Sequence, residues 1–171
     1  STDSILLKIN LKSPIYTLFY SQQFKLLVAG THNGELVRID QNLEIVDRKK
    51  VSDGPILRVV LSRNESVFIS VGADTYASLW HTENLDCISN LHEDGMKKWI
   101  WDACFSPNDE SVFTVGTDCY CREWSLTGEH IRTYNRLTAG ITCVGFMESN
   151  VPVIERARTT KHEPTYTYFE D

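Results

Sequence analysis

No run of 18 consecutive apolar residues occurs anywhere in these 171 residues, so no membrane-spanning helix is expected. The N-terminal Ser1-Thr2-Asp3-Ser4 is polar and acidic and opens no signal peptide. Position 1 is not Met, which leaves room for an upstream start. A concentrated basic face is also missing. Lys and Arg number 17 against 23 Asp and Glu, for a net charge of −6, and the longest basic clusters are Arg48-Lys49-Lys50 and Lys97-Lys98. Nucleic-acid binding draws on the release of counterions by many clustered cations, so nucleic acid is not expected as the main ligand. A polybasic membrane anchor is not expected either.

The cysteines are irregularly placed. The five, Cys87, Cys104, Cys119, Cys121 and Cys143, are odd in number and share no spacing, which argues against a disulfide framework. A reducing compartment is expected, the cytoplasm with the nucleus as an alternative. Cys119 and Cys121 lack the second Cys or His pair that a four-ligand zinc site needs. The chemistry-bearing motifs are missing too. None of His32, His81, His92, His130 and His162 has a second His at metal-ligand spacing, and neither G-x-S-x-G nor G-x-x-x-x-G-K-[ST] occurs. No catalytic, cofactor-binding or metal site is assigned.

What the sequence does contain is a repeat. The segments that begin at Ile15, Ile56, Ile100 and Ile141 read as short strands, and their leading isoleucines are 41, 44 and 41 residues apart. A second strand follows in the first three units and reaches Gly30, Gly72 or Gly116, and a turn comes next. Asn33, Asp74 and Asp118 in those turns keep the spacings of 41 and 44, as do Ile39, Trp80 and Trp124 six residues later. Asn33-Gly34 suits a type I′ turn, with positive φ at both residues. Fourth strands are expected over Leu43 to Arg48, Cys87 to Leu91 and Glu129 to Tyr134, and the last unit offers Val151 to Glu155 and Thr165 to Phe169. The fold class is all-β, with about 40 residues and four antiparallel strands per unit.

The pattern resembles the WD40 repeat of β-propellers, best over Trp99-Ile100-Trp101-Asp102-Ala103-Cys104-Phe105-Ser106 and on to Arg122-Glu123-Trp124. The resemblance implies blades over about 13–51, 53–93, 98–137 and 139–171, three clear and a degenerate fourth, with 5–11 as an outer strand that closes the last blade. It also implies structural hydrogen-bond networks through Ser70, Asp74 and Trp80 in one blade and Thr114, Asp118 and Trp124 in another. The sequence departs from the family where the Gly-His pair before each blade is absent and the Trp-Asp pair reads Ile39-Asp40, Trp80-His81 and Trp124-Ser125.

Four units leave three readings open: part of a longer propeller, half of a ring completed by a second chain, or a small closed ring. Propellers carry function on their rims. The loop Asp94 to Trp99 concentrates an aromatic, a Met and two cations ahead of an inner strand, so Met96, Lys97, Lys98 and Trp99 are the candidate partner-binding rim. Asp102, on the inner strand beside the channel, joins them, and Trp101 is expected in the core. The leading function is a non-catalytic scaffold for protein partners. The aromatic pair Trp99 and Trp101, the run Leu126 to Tyr134 and the strand Ile141 to Phe146 further resemble the C-terminal blades of the small propeller subunit of target-of-rapamycin kinase complexes, which implies a kinase partner. Two alternatives stand beside it: a half-propeller subunit of another multiprotein assembly, and a small-ligand binder or enzyme that uses Asp102 and Cys104 in the channel.

Overall fold

The computed structural model describes residues 8–93, 98–134 and 137–146, and the backbone of 152–156 and 166–168. Every element among them is a strand. β1 (Ile15–Ser21), β2 (Leu26–Thr31), β3 (Glu35–Ile39) and β4 (Ile45–Lys50) form a first antiparallel sheet in chain order. β5 (Ile56–Leu61), β6 (Val67–Gly72), β7 (Ala77–His81) and β8 (Cys87–Leu91) form a second, and β9 (Ile100–Phe105), β10 (Ser111–Gly116), β11 (Cys121–Ser125) and β12 (His130–Thr133) a third. The fourth has three strands, β13 (Ile141–Phe146), β14 (Pro152–Arg156) and β15 (Tyr166–Tyr168). The fold is thus all-β, built of small antiparallel sheets in the manner of propeller blades.

The sheets pack in chain order, with the inner strands β1, β5, β9 and β13 making the most extensive contacts from sheet to sheet and β2, β6 and β10 also reaching the next inner strand. Three apolar layers fill the spaces between them. Phe19, Val28 and Leu36 of the first sheet meet Val59, Phe68 and Trp80 of the second. Val60, Ile69 and Leu79 of the second meet Ala103, Val112 and Trp124 of the third. Cys104, Phe113 and Cys121 of the third meet Ile141, Val144 and Phe146 of the fourth. Within each inner strand, alternation sends the third and fifth residues after the leading isoleucine towards the preceding sheet and the second and fourth towards the next.

The repeat extends to irregularities. All four inner strands carry a bulge at the residue after the leading isoleucine, namely Tyr16, Leu57, Trp101 and Thr142, where the pairing skips one position. A second bulge recurs in the fourth strands at Val46, Ile88 and Ile131. Bulges sharpen local twist. The turn after the second strand in the first three sheets is not type I′. Positive φ is found at Gly34 but not at Asn33, and at the equivalent Thr75 and Cys119. Gly34 N–H donates to Thr31 O at 3.1 Å, which makes a type I turn followed by one left-handed residue. A Cβ on Gly34 would lie 2.0 Å from Ser52 O, so glycine is required there by space as well as by φ.

Strand β4 begins two residues after its expected start because Leu43 sits in a turn at φ 60°, where Asp40 Oδ1 accepts the N–H groups of Asn42 and Glu44. Of the expected closing strand 5–11, residues 8–11 are described and are not strand. Ile9 and Leu11 pack instead on Ala29, Val37 and Ile39 of the first sheet.

Candidate functional site

One rim of the stack is organised by the repeat. The residue before each of the first three inner strands accepts a hydrogen bond from the turn after the second strand: His32 N–H to Pro14 O at 2.8 Å, Ala73 N–H to Pro55 O at 3.1 Å, Thr117 N–H to Trp99 O at 3.0 Å. Gly116 makes room for the last contact, since a Cβ there would lie 2.4 Å from Trp99 O.

On this rim the aromatic side chains come in pairs. Trp99, 47% exposed, meets Trp101 edge to face with ring centroids 5.4 Å apart. Trp101 is half-buried rather than core, because as the bulge residue it leaves the alternation and turns to the rim. Tyr76, exposed, lies 5.0 Å from the His92 ring. Tyr16, exposed, lies 5.5 Å from the His32 ring, and its hydroxyl is 2.8 Å from His32 Nδ1. Lys98 is exposed beside Trp99, while Met96 and Lys97 lie outside the described residues. The sequence singled out Trp99 but not Tyr16 or Tyr76. The signal was present, since each stands at a rim position of the repeat, beside an inner-strand start or a left-handed turn.

Asp102 is not on the rim. It is 5% exposed, and Oδ2 accepts the Val144 N–H of β13 at 3.1 Å. Arg58 Nε of β5 lies 3.1 Å from Oδ1, a charge contact without hydrogen-bond alignment. The carboxylate therefore ties three sheets together at the inner strands. Thr17 makes the matching link two interfaces earlier, between the first and second sheets, with Oγ1 accepting Val59 N–H at 3.1 Å. Arg58, Asp102 and Thr17 hold the same position in their units, a correspondence that the repeat contained and that singled out only Asp102.

The structural set divides. Trp80 Nε1–H donates to Ser70 Oγ and Trp124 Nε1–H to Thr114 Oγ1, both at 2.8 Å and buried. The turn carboxylates serve elsewhere. Asp74 Oδ1 accepts Tyr76 N–H at 3.4 Å within its own turn, and Asp118 Oδ2 accepts from Arg122 Nη1 at 2.6 Å. Burial opposes the charge on Arg122, but hydrogen bonds to Glu93 and Asp118 outweigh it and hold its pKa above the ordinary value.

The cysteines form no disulfide. Burial pushes the Cys104 thiol well above its usual range, and Cys121 is raised to about 12 by burial and by Glu123. Both therefore stay as thiols near neutral pH. Among the described residues no three His, Cys, Asp or Glu side chains are grouped to hold a metal ion. A cleft of about 460 Å³ lies between the third and fourth sheets, lined in part by Phe113, Tyr134 and Phe146 with Glu110 and Glu123. Tyr134, raised to about 12 by burial and by Glu123, donates its hydroxyl to Glu123 Oε2 at 3.1 Å.

The WD domain, G-beta repeat family matches residues 85–125, which run from the end of the second sheet through β11 of the third. That match supports the WD40 resemblance for one unit of the chain. No curated protein sequence matches the chain. Among solved structures, the computationally designed Ika4 protein is similar, with a TM-score of 0.77, 17% identity, and 94% of each chain covered. The computationally designed Ika8 protein is similar at a TM-score of 0.70 and 17% identity, covering 82% of this chain and 42% of that one. These likenesses concern the fold.

Proposed function

We propose that this chain is a non-catalytic scaffold that docks a protein partner on the rim carrying Trp99, Trp101, Tyr76 and Tyr16. The observation that carries the reading is the paired, exposed aromatic surface on a framework whose polar groups are spent on holding sheets together. Large aromatics that keep half their surface in water contribute most when a partner desolvates them, and Trp and Tyr are the commonest hot spots. Lys98 beside Trp99 favours a partner with an acidic margin around an apolar pocket. The WD40 match is consistent with a protein-interaction role. The finer reading makes the partner a kinase of the target-of-rapamycin type in the cytoplasm; it rests on the motif resemblance around Trp99 to Phe105. A channel-site ligand would have to compete for Asp102, whose carboxylate Val144 and Arg58 already engage.

The test is co-purification of tagged chain with a target-of-rapamycin kinase lobe, and with native lysate read by mass spectrometry. Trp99→Ala combined with Tyr76→Ala should weaken capture of a specific partner by roughly 30-fold or more while the circular dichroism is unchanged. Capture of every protein at wild-type level by this variant rejects the rim. Loss of a partner other than the kinase keeps the rim and rejects the kinase.

A further inference from the structure

The aromatic rim carries hydrogen-bond donors as well as apolar rings. Trp80 and Trp124 spend their indole N–H groups on Ser70 and Thr114 inside the sheets. The indole N–H groups of Trp99 and Trp101 and the hydroxyl of Tyr76 have no hydrogen-bond partner among the described residues. An indole N–H can only donate, and so can the ammonium of Lys98, exposed beside Trp99. The acceptors around them are already taken. Trp99 O accepts both the Thr117 N–H at 3.0 Å and the Thr117 hydroxyl at 3.2 Å, which fills its two lone pairs. Pro55 O accepts the Ala73 N–H. Asp118, in the same turn as Thr117, accepts from Tyr120 N–H and from Arg122, and Glu93 accepts from Arg122. The surface around the tryptophan pair therefore offers rings and donors. The pair also has a shape. The two planes stand at 64° with centroids 5.4 Å apart, so they form a corner with one wall from each indole. Trp99 keeps 47% of its surface in water, which leaves that corner open.

Resting on the scaffold role proposed above, we infer that the part of the partner seated on this rim is a proline-rich segment in the polyproline II conformation. Each proline brings a main-chain carbonyl and no N–H. Such a segment meets the donors of Trp99, Trp101 and Tyr76 and leaves no N–H unpaired. An ordinary extended peptide would bring an N–H at every residue to a surface whose acceptors are occupied, and each one buried without a partner costs stability. An amphipathic helix satisfies its own main-chain groups and would leave the rim's donors unmet. The pyrrolidine ring is apolar and compact enough to enter the angle between two aromatic planes. Polyproline II segments are extended before they bind, so little ordering entropy is lost when they dock in aromatic-lined sites.

Titration of the whole chain with a capped proline decamer, followed by tryptophan emission, tests it. Trp80 and Trp124 are buried, so a change in emission reports Trp99 and Trp101. A saturable blue shift is expected. A decamer with alanine at every second position restores N–H groups and should bind roughly 10-fold more weakly. Trp99→Phe keeps a ring and removes one donor, and should weaken the proline decamer roughly 5- to 10-fold. Trp99→Ala should weaken it roughly 100-fold with unchanged circular dichroism, Trp101 serving as the reporter in both variants. Absence of a saturable shift at millimolar proline decamer overturns the inference. So does equal binding of the two decamers, or wild-type affinity in Trp99→Ala. The co-purification separates this inference from the scaffold reading. A partner that is lost with Trp99→Ala and Tyr76→Ala, but that excess proline decamer does not displace from the wild-type chain, keeps the rim and rejects the proline-rich segment.

Discussion

The third sheet and the first are the same unit in different settings. In the third, Trp124 fills the layer against the second sheet and donates its indole N–H to Thr114. In the first, the equivalent positions are Ile39 and Ala29, which have no hydrogen bond to make. Their cover is not a sheet but Ile9 and Leu11 of the N-terminal segment. The difference teaches that the Trp–Thr bond belongs to a blade with sheets on both sides, where a wide layer must be filled and the one polar atom of the indole satisfied. Under a single covering segment, a smaller all-apolar pair is sufficient.

Removing each member of this comparison separates the two settings. Trp124→Ala deletes a fully buried indole and orphans Thr114, and should cost about 4 kcal/mol in urea unfolding. Ile39→Ala should cost about 2 to 3 kcal/mol, because the covering segment can settle onto the smaller residue. Equal losses would mean that the segment is as rigid a cover as a sheet.

Next in size is the inner tie. Asp102→Asn keeps the shape and can keep the acceptor for Val144 N–H, but it removes the charge opposite Arg58. Arg58 is half in water, which screens its share of the contact. A loss of about 1 to 2 kcal/mol is expected, against about 1 kcal/mol for Thr17→Val at the neutral tie between the first and second sheets. Asp102→Asn without effect would show that Arg58 contributes nothing to the buried carboxylate.

How much of this was legible follows from what a period can carry. Intervals of 41 and 44 residues located the sheets and the equivalence of Trp80 with Trp124, because strand order and spacing are set along the chain. They also put Arg58 and Asp102 in register. They did not reveal that Arg58 reaches the next sheet, since that depends on the side chain crossing an interface. Trp101 leaves the core because a bulge interrupts the alternation there, and a run of apolar residues does not announce a bulge. The Asp–Trp network was only half realised. Arg122, a residue of no obvious consequence in the sequence, draws Asp118 away, and Asp74 is satisfied within its own turn.

The turns sharpen the comparison with a change of sign. Gly34 takes the left-handed conformation without strain, while Thr75 holds it at φ 75° with a β-branched side chain. Thr75→Gly should therefore stabilise the second sheet by about 1 kcal/mol, read as a rise in urea midpoint without change in slope. The reverse change in the first sheet, Gly34→Thr, must also displace Ser52 O and should be markedly destabilising. A loss of stability in Thr75→Gly would mean that the threonine side chain contributes more than its backbone strain costs.

The smallest effect lies at the opposite rim, where Glu65 of the second sheet reaches back to the first. Its Oε2 accepts the Gln23 N–H at 2.9 Å and the Ser21 hydroxyl at 2.7 Å, and these bonds hold its pKa below the ordinary 4.5. A carboxylate bound more tightly to protons when unfolded than when folded stabilises the fold above its unfolded pKa, and the contribution fades as pH falls through the lower folded value. Wild type should thus melt slightly above Glu65→Gln at pH 7, and the gap should close as the pH drops below 4.5. The third sheet offers the control. Asp109 caps Arg63 N–H and Asn64 N–H at 3.0 and 2.8 Å in the equivalent position, and in a Glu65→Gln background it still ties the second sheet to the third. Loosening should therefore be confined to the seam between the first and second sheets, seen as faster amide exchange at Gln23 but not at Asn64. Equal acceleration at both would mean that the turns respond as one unit rather than interface by interface.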